Sequence, residues 1–315
     1  MQSRGIIQQK SIKKGRWYFF RKNLPLTMLA LPTIILFIIF KYVPLYGLVL
    51  PFKNFKVNLG LFGSKWCGFE NFKFLFGGNS ILIPLRNTIL YNIVFIFGGL
   101  VITVTLALLL FELSARQVKF FQTAYLIPYF ISWVVAAYAF NAFLDMDSGI
   151  LNVILKKIGM KPVMWYNEPK VWPYILTFAN FWKSSGYSAL VYYAALMGVD
   201  KALFEAATID GAGKFKQIIH ISIPMLKPMI IMMTILNVGN IFYSDFGLFY
   251  NVTLNSSLLY HTTDVIDTFV YRALTGTGDI GMSSAACFLQ SIVGFVCVVT
   301  VNLIVRRIDN ENALF

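Results

Sequence analysis

Charged side chains are scarce in this sequence. Asp, Glu, Lys and Arg make up only 13% of its 315 residues, about half the share that is usual in soluble globular proteins. Hydrophobic residues account for 57%, and the mean hydropathy is +0.67. Disordered chains need the opposite balance, and a soluble enzyme of this length needs more polar surface. The composition therefore predicts a polytopic helical membrane protein.

Patterns that carry catalysis or metal binding are also missing. The three cysteines, Cys67, Cys287 and Cys297, are too scattered for a metal site or a disulfide framework. His220 and His261 fall on opposite predicted sides of the membrane, and no zinc-protease motif or Ser/His/Asp arrangement is legible. We expect no catalytic residues and no metal site, which disfavours a membrane-embedded enzyme.

A phosphate-binding loop is excluded as well. Gly213 and Lys214 resemble the end of the motif G-x-x-x-x-G-K-[ST], but Thr208 stands where its first glycine belongs. Phe215 stands where the motif has Ser or Thr. We therefore expect that this chain does not hydrolyse ATP and holds no cofactor of its own.

Six long apolar runs are present, and each is 22 to 27 residues long. A helix of that length crosses about 30 Å of hydrocarbon. The pattern predicts an all-α fold with six transmembrane helices, with a bend at Pro128 in the third, and two short outer helices within 149–160 and 264–274. The six runs are residues 26–50, 89–111, 120–144, 171–197, 229–250 and 283–305.

Basic residues are distributed unequally between the two sides of the predicted membrane. The side that includes both termini carries 15 Lys and Arg in 74 positions, and the other side carries 10 in 96. Since cytoplasmic loops are enriched in these residues, we expect a cytoplasmic tail over 1–25, one membrane domain over 26–305 and a cytoplasmic tail over 306–315. The first tail either binds anionic lipid or serves only as a topology signal. Its basic residues are Arg4, Lys10, Lys13, Lys14, Arg16, Arg21 and Lys22.

The segment 200–224, between the fourth and fifth runs, has an organisation of its own. Residues 200–209 favour a helix, Asp210 and Gly211 form a turn pair, and Pro224 is expected to limit a second short helix. A DNA-binding helix-turn-helix is disfavoured, because both ends would be tied to the membrane. A structured loop without a partner and a docking surface for a soluble partner remain.

Motif residues in this segment resemble a known loop. Glu205-Ala206-Ala207, then Asp210-Gly211-Ala212, then Ile221 and Pro224 resemble the EAA loop of permease subunits of binding-protein-dependent ABC importers. Over nearly its whole length, the chain is similar to the carbohydrate-uptake permeases of the maltose type, and most closely to those that carry polysaccharides and oligosaccharides. The usual Leu before the proline is Ile223 here. Further matching segments are 44–47, 86–88, 127–128, 131–135, 264–268 and 270–272.

This resemblance implies a type I ABC importer permease fold in which the loop 200–224 carries a coupling helix. It also implies a bacterial cytoplasmic membrane and several partners: a second, homologous permease, two copies of an ATPase that bind ATP and Mg, an extracytoplasmic substrate-binding protein, membrane lipid and an oligosaccharide. No nucleic acid is expected. The residues matched to ATPase coupling are Glu205, Ala206, Ala207, Asp210, Gly211, Ala212 and Pro224.

A polar and aromatic belt within the runs is our candidate for the transport path. Ionisable residues in membrane spans usually face a cavity or a partner, and sugars bind to aromatic faces together with amides and hydroxyls. The same groups are equally suited to hydrogen bonding between helices or to contact with a second subunit. The candidates are Asn180, Trp182, Lys183 and Tyr187 in the fourth run, Asn237, Asn240, Tyr243 and Asp245 in the fifth, and Trp133 in the third.

Two other transport functions stay open at this stage. A permease of the same superfamily for a different solute, such as an amino acid, a metal or phosphate, would share the loop. A carrier driven by protons or sodium would need carboxylates within the spans, and Asp245 is alone there.

Overall fold

The computed structural model describes residues 23–77, 81–276, 278–310 and 313–314. The predicted basic tail, with Arg4, Lys10, Lys13, Lys14, Arg16, Arg21 and Lys22, lies outside the described residues, as do positions 311, 312 and 315 of the second tail. The chain divides into two compact units, Met1–Val49 and Leu50–Phe315.

The first unit contains most of helix α1, Leu24–Phe52, which is 29 residues long. It is α-helical over Leu24–Phe37, π-helical over Ile38–Tyr42 and 3₁₀-helical over Val43–Phe52. The change of helix type falls at Pro44, which has no N–H for the regular bond to the residue four positions earlier. The first apolar run is thus a helix, as predicted.

The second unit begins with a small hairpin. Strand β1, Lys53–Asn54, pairs antiparallel with β2, Lys65–Trp66, and the short helix α2, Gly60–Gly63, lies between them. The ammonium of Lys53 is buried and donates to the carbonyl oxygen of Leu61 at 2.7 Å. Helix α3, Glu70–Gly77, follows.

The next two apolar runs differ from each other. Helix α4, Leu82–Phe111, is continuous over 30 residues, whereas the third run is interrupted. Its halves, α5 over Ala115–Phe130 and α6 over Trp133–Leu144, meet at 96°. The bend predicted near Pro128 is confirmed, but the expectation of one helix across 120–144 is corrected, because Ser132 is extended and starts a new helix by accepting the Val135 N–H.

The short helix α7, Ile150–Lys157, confirms the helix predicted within 149–160. Helix α8, Trp172–Met197, spans 26 residues and packs against α4 and α5. At Gly186 a Cβ atom would lie 2.0 Å from the Tyr125 carbonyl oxygen, so only glycine allows this approach of α8 to α5.

The fifth run is placed differently from our prediction. Helix α9, Lys201–Ile209, ends in a tight turn, and α10 then runs from Lys214 to Gly239 without a stop at Pro224. A π-helical turn over Ile218–Ser222 precedes that proline and accommodates its missing N–H. The predicted short second helix is therefore wrong, since it is the first part of the span.

The chain after α10 returns to helix only after a break. A π-helical turn at Leu248–Val252 follows, then α11, Tyr260–Thr263, and α12, Ile266–Gly276. Helix α12 confirms the short helix predicted within 264–274. Helix α13, Ile280–Ile308, is the last apolar run. A core cluster of fully buried side chains joins α8 to the segment after α10: Trp172, Leu176, Leu248, Val252 and Leu259.

Among the described residues, four helices are long and apolar enough to cross a membrane: α1, α4, α10 and α13. The bent pair α5 and α6 is a fifth candidate. Helix α8 is less apolar because it carries the polar belt around Lys183, although its length of about 39 Å suffices for a span.

Candidate functional site

The turn after α9 has a geometry that only a few residues can adopt. Gly211 has φ +76°, its N–H donates to the Thr208 carbonyl, and the Ala212 N–H donates to the Ala207 carbonyl at 2.9 Å. This is the Schellman pattern, in which glycine supplies the left-handed residue that ends a helix. The turn predicted from Asp210 and Gly211 is confirmed.

Gln217 fixes the turn to the start of α10. Its side chain is 3% exposed, and its amide donates to the Thr208 hydroxyl at 2.9 Å and to the Ala212 carbonyl at 3.0 Å. Helix α9 and the first turn of α10 are therefore held in one orientation. The sequence analysis missed Gln217, because no motif marks a glutamine whose partners lie across a turn.

Two further contacts join this region to the end of α4. The rings of Phe111 and Phe204 are 5.4 Å apart, and the Lys214 ammonium lies 2.8 Å from the Glu112 carboxylate. The ion pair is largely exposed on the lysine side, so we expect it to contribute little to stability. The ring contact is the firmer link between α9 and the membrane helices.

The surface of this turn is open and partly apolar. Glu205, Ala206, Asp210 and Gly211 are exposed, and Ala207 and Ala212 are half-buried. Next to them, the Ile209 side chain is 85% exposed and that of Phe215 is 74% exposed. Pro224 lies apart from these residues, ten positions into α10. Exposed apolar groups beside a carboxylate and small residues make a surface suited to contact with another protein.

A polar cavity of about 290 Å³ lies between α4, α8, α10 and the break after α10. The structure brings five predicted residues to its wall: Asn180, Asn237, Asn240, Tyr243 and Asp245. Ser184, which belongs to the predicted belt around Lys183, lines the cavity too. The sequence analysis missed several others that line it with amide or hydroxyl groups: Asn92, Thr103, Ser188, Tyr192 and Thr234.

The break after α10 is held by side chains from neighbouring helices. The Asn92 amide on α4 donates to the carbonyl oxygens of Ile241 and Tyr243, both at 2.9 Å. The Gln290 amide on α13 donates to the Phe242 carbonyl at 2.6 Å. Backbone groups that lost their helical partners are thereby satisfied, which allows irregular backbone at membrane depth.

The carboxylate of Asp267 on α12 completes this support. Its Oδ2 accepts the Ser244 N–H at 2.7 Å and lies 3.4 Å from the Gln290 amide. Burial raises the pKa of Asp267 above its usual range, and the hydrogen bonds from Ser244 and Gln290 oppose that shift.

Four predicted pathway residues lie elsewhere in the part of the chain that the structure describes. Trp182 lines an apolar pocket of about 690 Å³ with Phe140 and Phe178, and Tyr187 stacks on Tyr129 with the ring centroids 4.6 Å apart. Lys183 directs its ammonium to carbonyl oxygens at the end of α5. Trp133 donates to Asp245 and is not among the side chains that line the polar cavity.

Within the described residues, no group of three or more His, Cys, Asp and Glu side chains is placed to hold a metal ion. The arrangement offers two things instead. One is an exposed, partly apolar surface at the turn before α10. The other is a cavity of amides and hydroxyls at the far end of the same helix.

A known protein family matches more than half of this chain. The model of the family described as binding-protein-dependent transport system inner membrane component matches residues 118–310. The polygalacturonan/rhamnogalacturonan transport system permease protein YteP of Bacillus subtilis strain 168 is 32% identical over 290 residues, which cover 91% of this chain and 89% of YteP. The sn-glycerol-3-phosphate transport system permease protein UgpA of Salmonella typhimurium strain LT2 is 26% identical, with 96% and 97% covered.

A solved structure is similar over nearly the whole length. It is a chain in the crystal structure of a bacterial alginate ABC transporter in complex with a periplasmic protein that binds an alginate pentasaccharide. The TM-score is 0.83 at 30% identity, and the alignment covers 94% of this chain and 98% of that one. The chain therefore belongs to the family of binding-protein-dependent transport system inner membrane components.

Proposed function

We propose that this chain is one of two membrane subunits of an ATP-driven importer that moves oligosaccharides into the cytoplasm by alternating access. The chain would cross the bacterial membrane six times, with α8 as one of the spans and both termini cytoplasmic. Its partners would be a second permease, two ATPase subunits and an extracytoplasmic substrate-binding protein. ATP and Mg would be bound by the ATPase.

The observation that carries this proposal is the path of α10. The helix begins at the exposed turn, where Gln217 ties it to α9, and ends at the break that lines the polar cavity. Twenty-six residues correspond to about 39 Å of helix. A push on the turn therefore reaches the cavity through one continuous element.

The proposed contacts follow from the exposed side chains. Glu205 would pair with a basic residue of the ATPase, and Ala206 and Ala207 would allow the two proteins to approach closely. In the cavity, Asn180, Asn237 and Asn240 would bind sugar hydroxyls through their amides, and Tyr243 would present a ring. The relatives that transport alginate and polygalacturonan support a sugar polymer fragment as the substrate class.

The test is uptake by the assembled complex in proteoliposomes that contain Glu205→Lys. We expect the variant chain to insert normally but to lose most ATP-driven uptake, while the ATPase keeps its basal rate. The matched control is Glu168→Lys, the same exchange at an exposed residue between α7 and α8, which should leave uptake unchanged. Wild-type uptake by Glu205→Lys would contradict the proposal.

A second candidate is import of a small anionic solute, because UgpA belongs to a glycerol phosphate system. A competition assay with the purified transporter separates the two. Inhibition of uptake by oligosaccharides and not by glycerol phosphate supports the sugar assignment, and the reverse result supports the second candidate.

A further inference from the structure

The third apolar run, which is long enough to cross a membrane, is interrupted between α5 and α6. Helix α5 ends at Phe130, and the last carbonyl groups of a helix have no partner within it. The α5 end and the start of α6 at Trp133 are separated by only two residues and a 96° bend. Such a break is tolerated in a membrane only where other groups satisfy the backbone.

Lys183 of α8 supplies those groups. Its ammonium donates to the carbonyl oxygens of Tyr129 at 2.8 Å and Pro128 at 3.4 Å, and it also donates to Ile131. An ammonium has three protons and no acceptor, so its hydrogen-bonding capacity is fully used. A positive charge is also favoured at this negative end of a helix.

The same ammonium faces the first residue of α6. It lies 5.3 Å from the centre of the Trp133 ring, within the range of a cation–π contact. The indole is confined on another side, because a Cβ atom at Gly247 would lie 2.4 Å from Trp133 Cδ1. Lys183 thus satisfies the carbonyl groups at the end of α5 and contacts the indole at the start of α6.

The indole N–H of Trp133 reaches the second interruption, the break after α10. It donates to Oδ2 of Asp245 at 2.5 Å, and Oδ1 of Asp245 accepts the Leu248 N–H at 3.3 Å. Both carboxylate oxygens are therefore engaged by the protein, although Asp245 lines the cavity. This use of Asp245 is the hydrogen bonding between helices that the sequence left open as the alternative to sugar binding.

We infer that Lys183, Trp133 and Asp245 form a bridge that fixes the two interrupted spans to each other, with Lys183 as its positioning residue. The bridge makes the start of α6 and the segment after α10 move as one body at the cavity wall. The consequence for transport rests on the proposed function, whereas the bridge itself is testable without transport.

The direct test uses the indole N–H resonances of the six tryptophans in the full chain in lipid nanodiscs, labelled with ¹⁵N. We expect the Trp133 resonance, assigned by Trp133→Phe, to move strongly in Asp245→Leu and in Lys183→Met. The matched control is Trp182→Phe, which removes the indole next to Lys183 and should leave the Trp133 resonance in place. A Trp133 resonance unchanged in Asp245→Leu or in Lys183→Met overturns the bridge.

A double-mutant cycle in the assembled transporter tests its role. We expect Trp133→Phe and Asp245→Leu each to lower uptake about tenfold, the order expected for one hydrogen bond to a charged group. The double variant should be no worse than either single variant, because both remove the same bond. If uptake by the double variant falls about one hundredfold, which is the product of the two single effects, the bridge is overturned. Absence of uptake by the wild type contradicts the proposed function instead.

Discussion

The two ends of α10 are held in different ways. The break at its far end is fixed by side chains from four other helices: Asn92, Trp133, Asp267 and Gln290. The turn at its near end is fixed by local hydrogen bonds, by Gln217 of α10 itself and by two contacts to the end of α4, and its outer surface is exposed. The two ends are therefore suited to different roles. The far end is pre-organised around the cavity, and the exposed surface of the near end can be covered by a partner.

The largest expected effect is at Gly211, where the turn depends on a left-handed residue. No atom lies within 4 Å of a Cβ there, so the cost of Gly211→Val is conformational rather than steric and is about 1–2 kcal/mol or more. We expect uptake to fall at least tenfold while ATP hydrolysis continues.

Two matched variants sharpen this prediction. Gly213→Ala lies two residues away with a normal φ of −67° and open space, so it should behave like the wild type. Gly211→Asn should retain more uptake than Gly211→Val, since Asn tolerates the left-handed region. An equal loss of uptake in all three variants would mean that the left-handed backbone at Gly211 does not explain the loss in Gly211→Val.

The next effect is at the far end of α10. Asn92→Leu removes the donor to the Ile241 and Tyr243 carbonyls, at a cost of about 1 kcal/mol for the lost hydrogen bonds. We expect a lower midpoint of thermal unfolding in detergent and reduced uptake. Thr105→Val, which removes a hydroxyl bonded within α4, is the control and should change neither. A wild-type midpoint for Asn92→Leu would show that the break does not depend on α4.

A smaller effect is expected where α9 meets α10. Gln217→Leu keeps the side-chain volume but removes the bonds to Thr208 and Ala212, a loss of about 1 kcal/mol. The amount of substrate taken up per ATP should fall severalfold, while the rate of hydrolysis is maintained. The control is Lys216→Met at the exposed neighbouring position. An unchanged ratio of uptake to hydrolysis in Gln217→Leu would show that the Gln217 hydrogen bonds are not needed to couple α9 to α10.

The smallest effect concerns pH. Because burial raises the pKa of Asp267 in the folded protein, protonation favours the folded state. The stabilisation that comes from protonating Asp267 is fully present below the ordinary pKa of about 4. It is lost as the pH rises through the raised pKa of the folded protein. Unfolding midpoints measured between pH 7 and pH 4 should therefore rise toward acid relative to those of Asp267→Asn.

Asp145 provides a control for that experiment, because its pKa is shifted in the opposite direction. The backbone and side-chain hydrogen bonds of Ser148 lower the pKa of Asp145, so its contribution is present above the ordinary pKa and lost as the pH falls through the lowered value. When the measurements are continued below pH 4, where that loss occurs, the profile of Asp145→Asn should differ from that of the wild type in the opposite direction. The same direction for both variants would contradict the assignment of the Asp267 effect to burial.

Features that depend on neighbouring residues could be predicted from the sequence. The apolar runs, the bend near Pro128, helix α9 and the turn at Gly211 all follow from hydrophobic length, proline chemistry and capping signals. The resemblance of Glu205-Ala206-Ala207 and Gly211 to a known loop also came from local residues. These parts of the fold and of the docking surface were available before the structure.

Features that depend on distant partners could not be predicted. Asn92 and Tyr243 are 151 positions apart, and Lys183 is 54 positions from Tyr129, so no periodicity connects them. The same holds for Lys183 as a helix cap: a lysine in an apolar run predicts a polar neighbour, but not that the neighbour is a broken helix end. The continuation of α10 through Pro224 was missed because the π-helical turn before it has no sequence signal.

The central claim is that the turn before α10 is covered by an ATPase that drives the cavity at the other end of the helix. The most direct measurement is cross-linking from Ala207→Cys, with Cys67, Cys287 and Cys297 replaced by serine, in proteoliposomes that take up substrate. The account predicts a covalent adduct between Ala207→Cys and an ATPase subunit, together with loss of uptake as the adduct forms. ATP-driven uptake that continues with no ATPase ever captured at position 207 would contradict it.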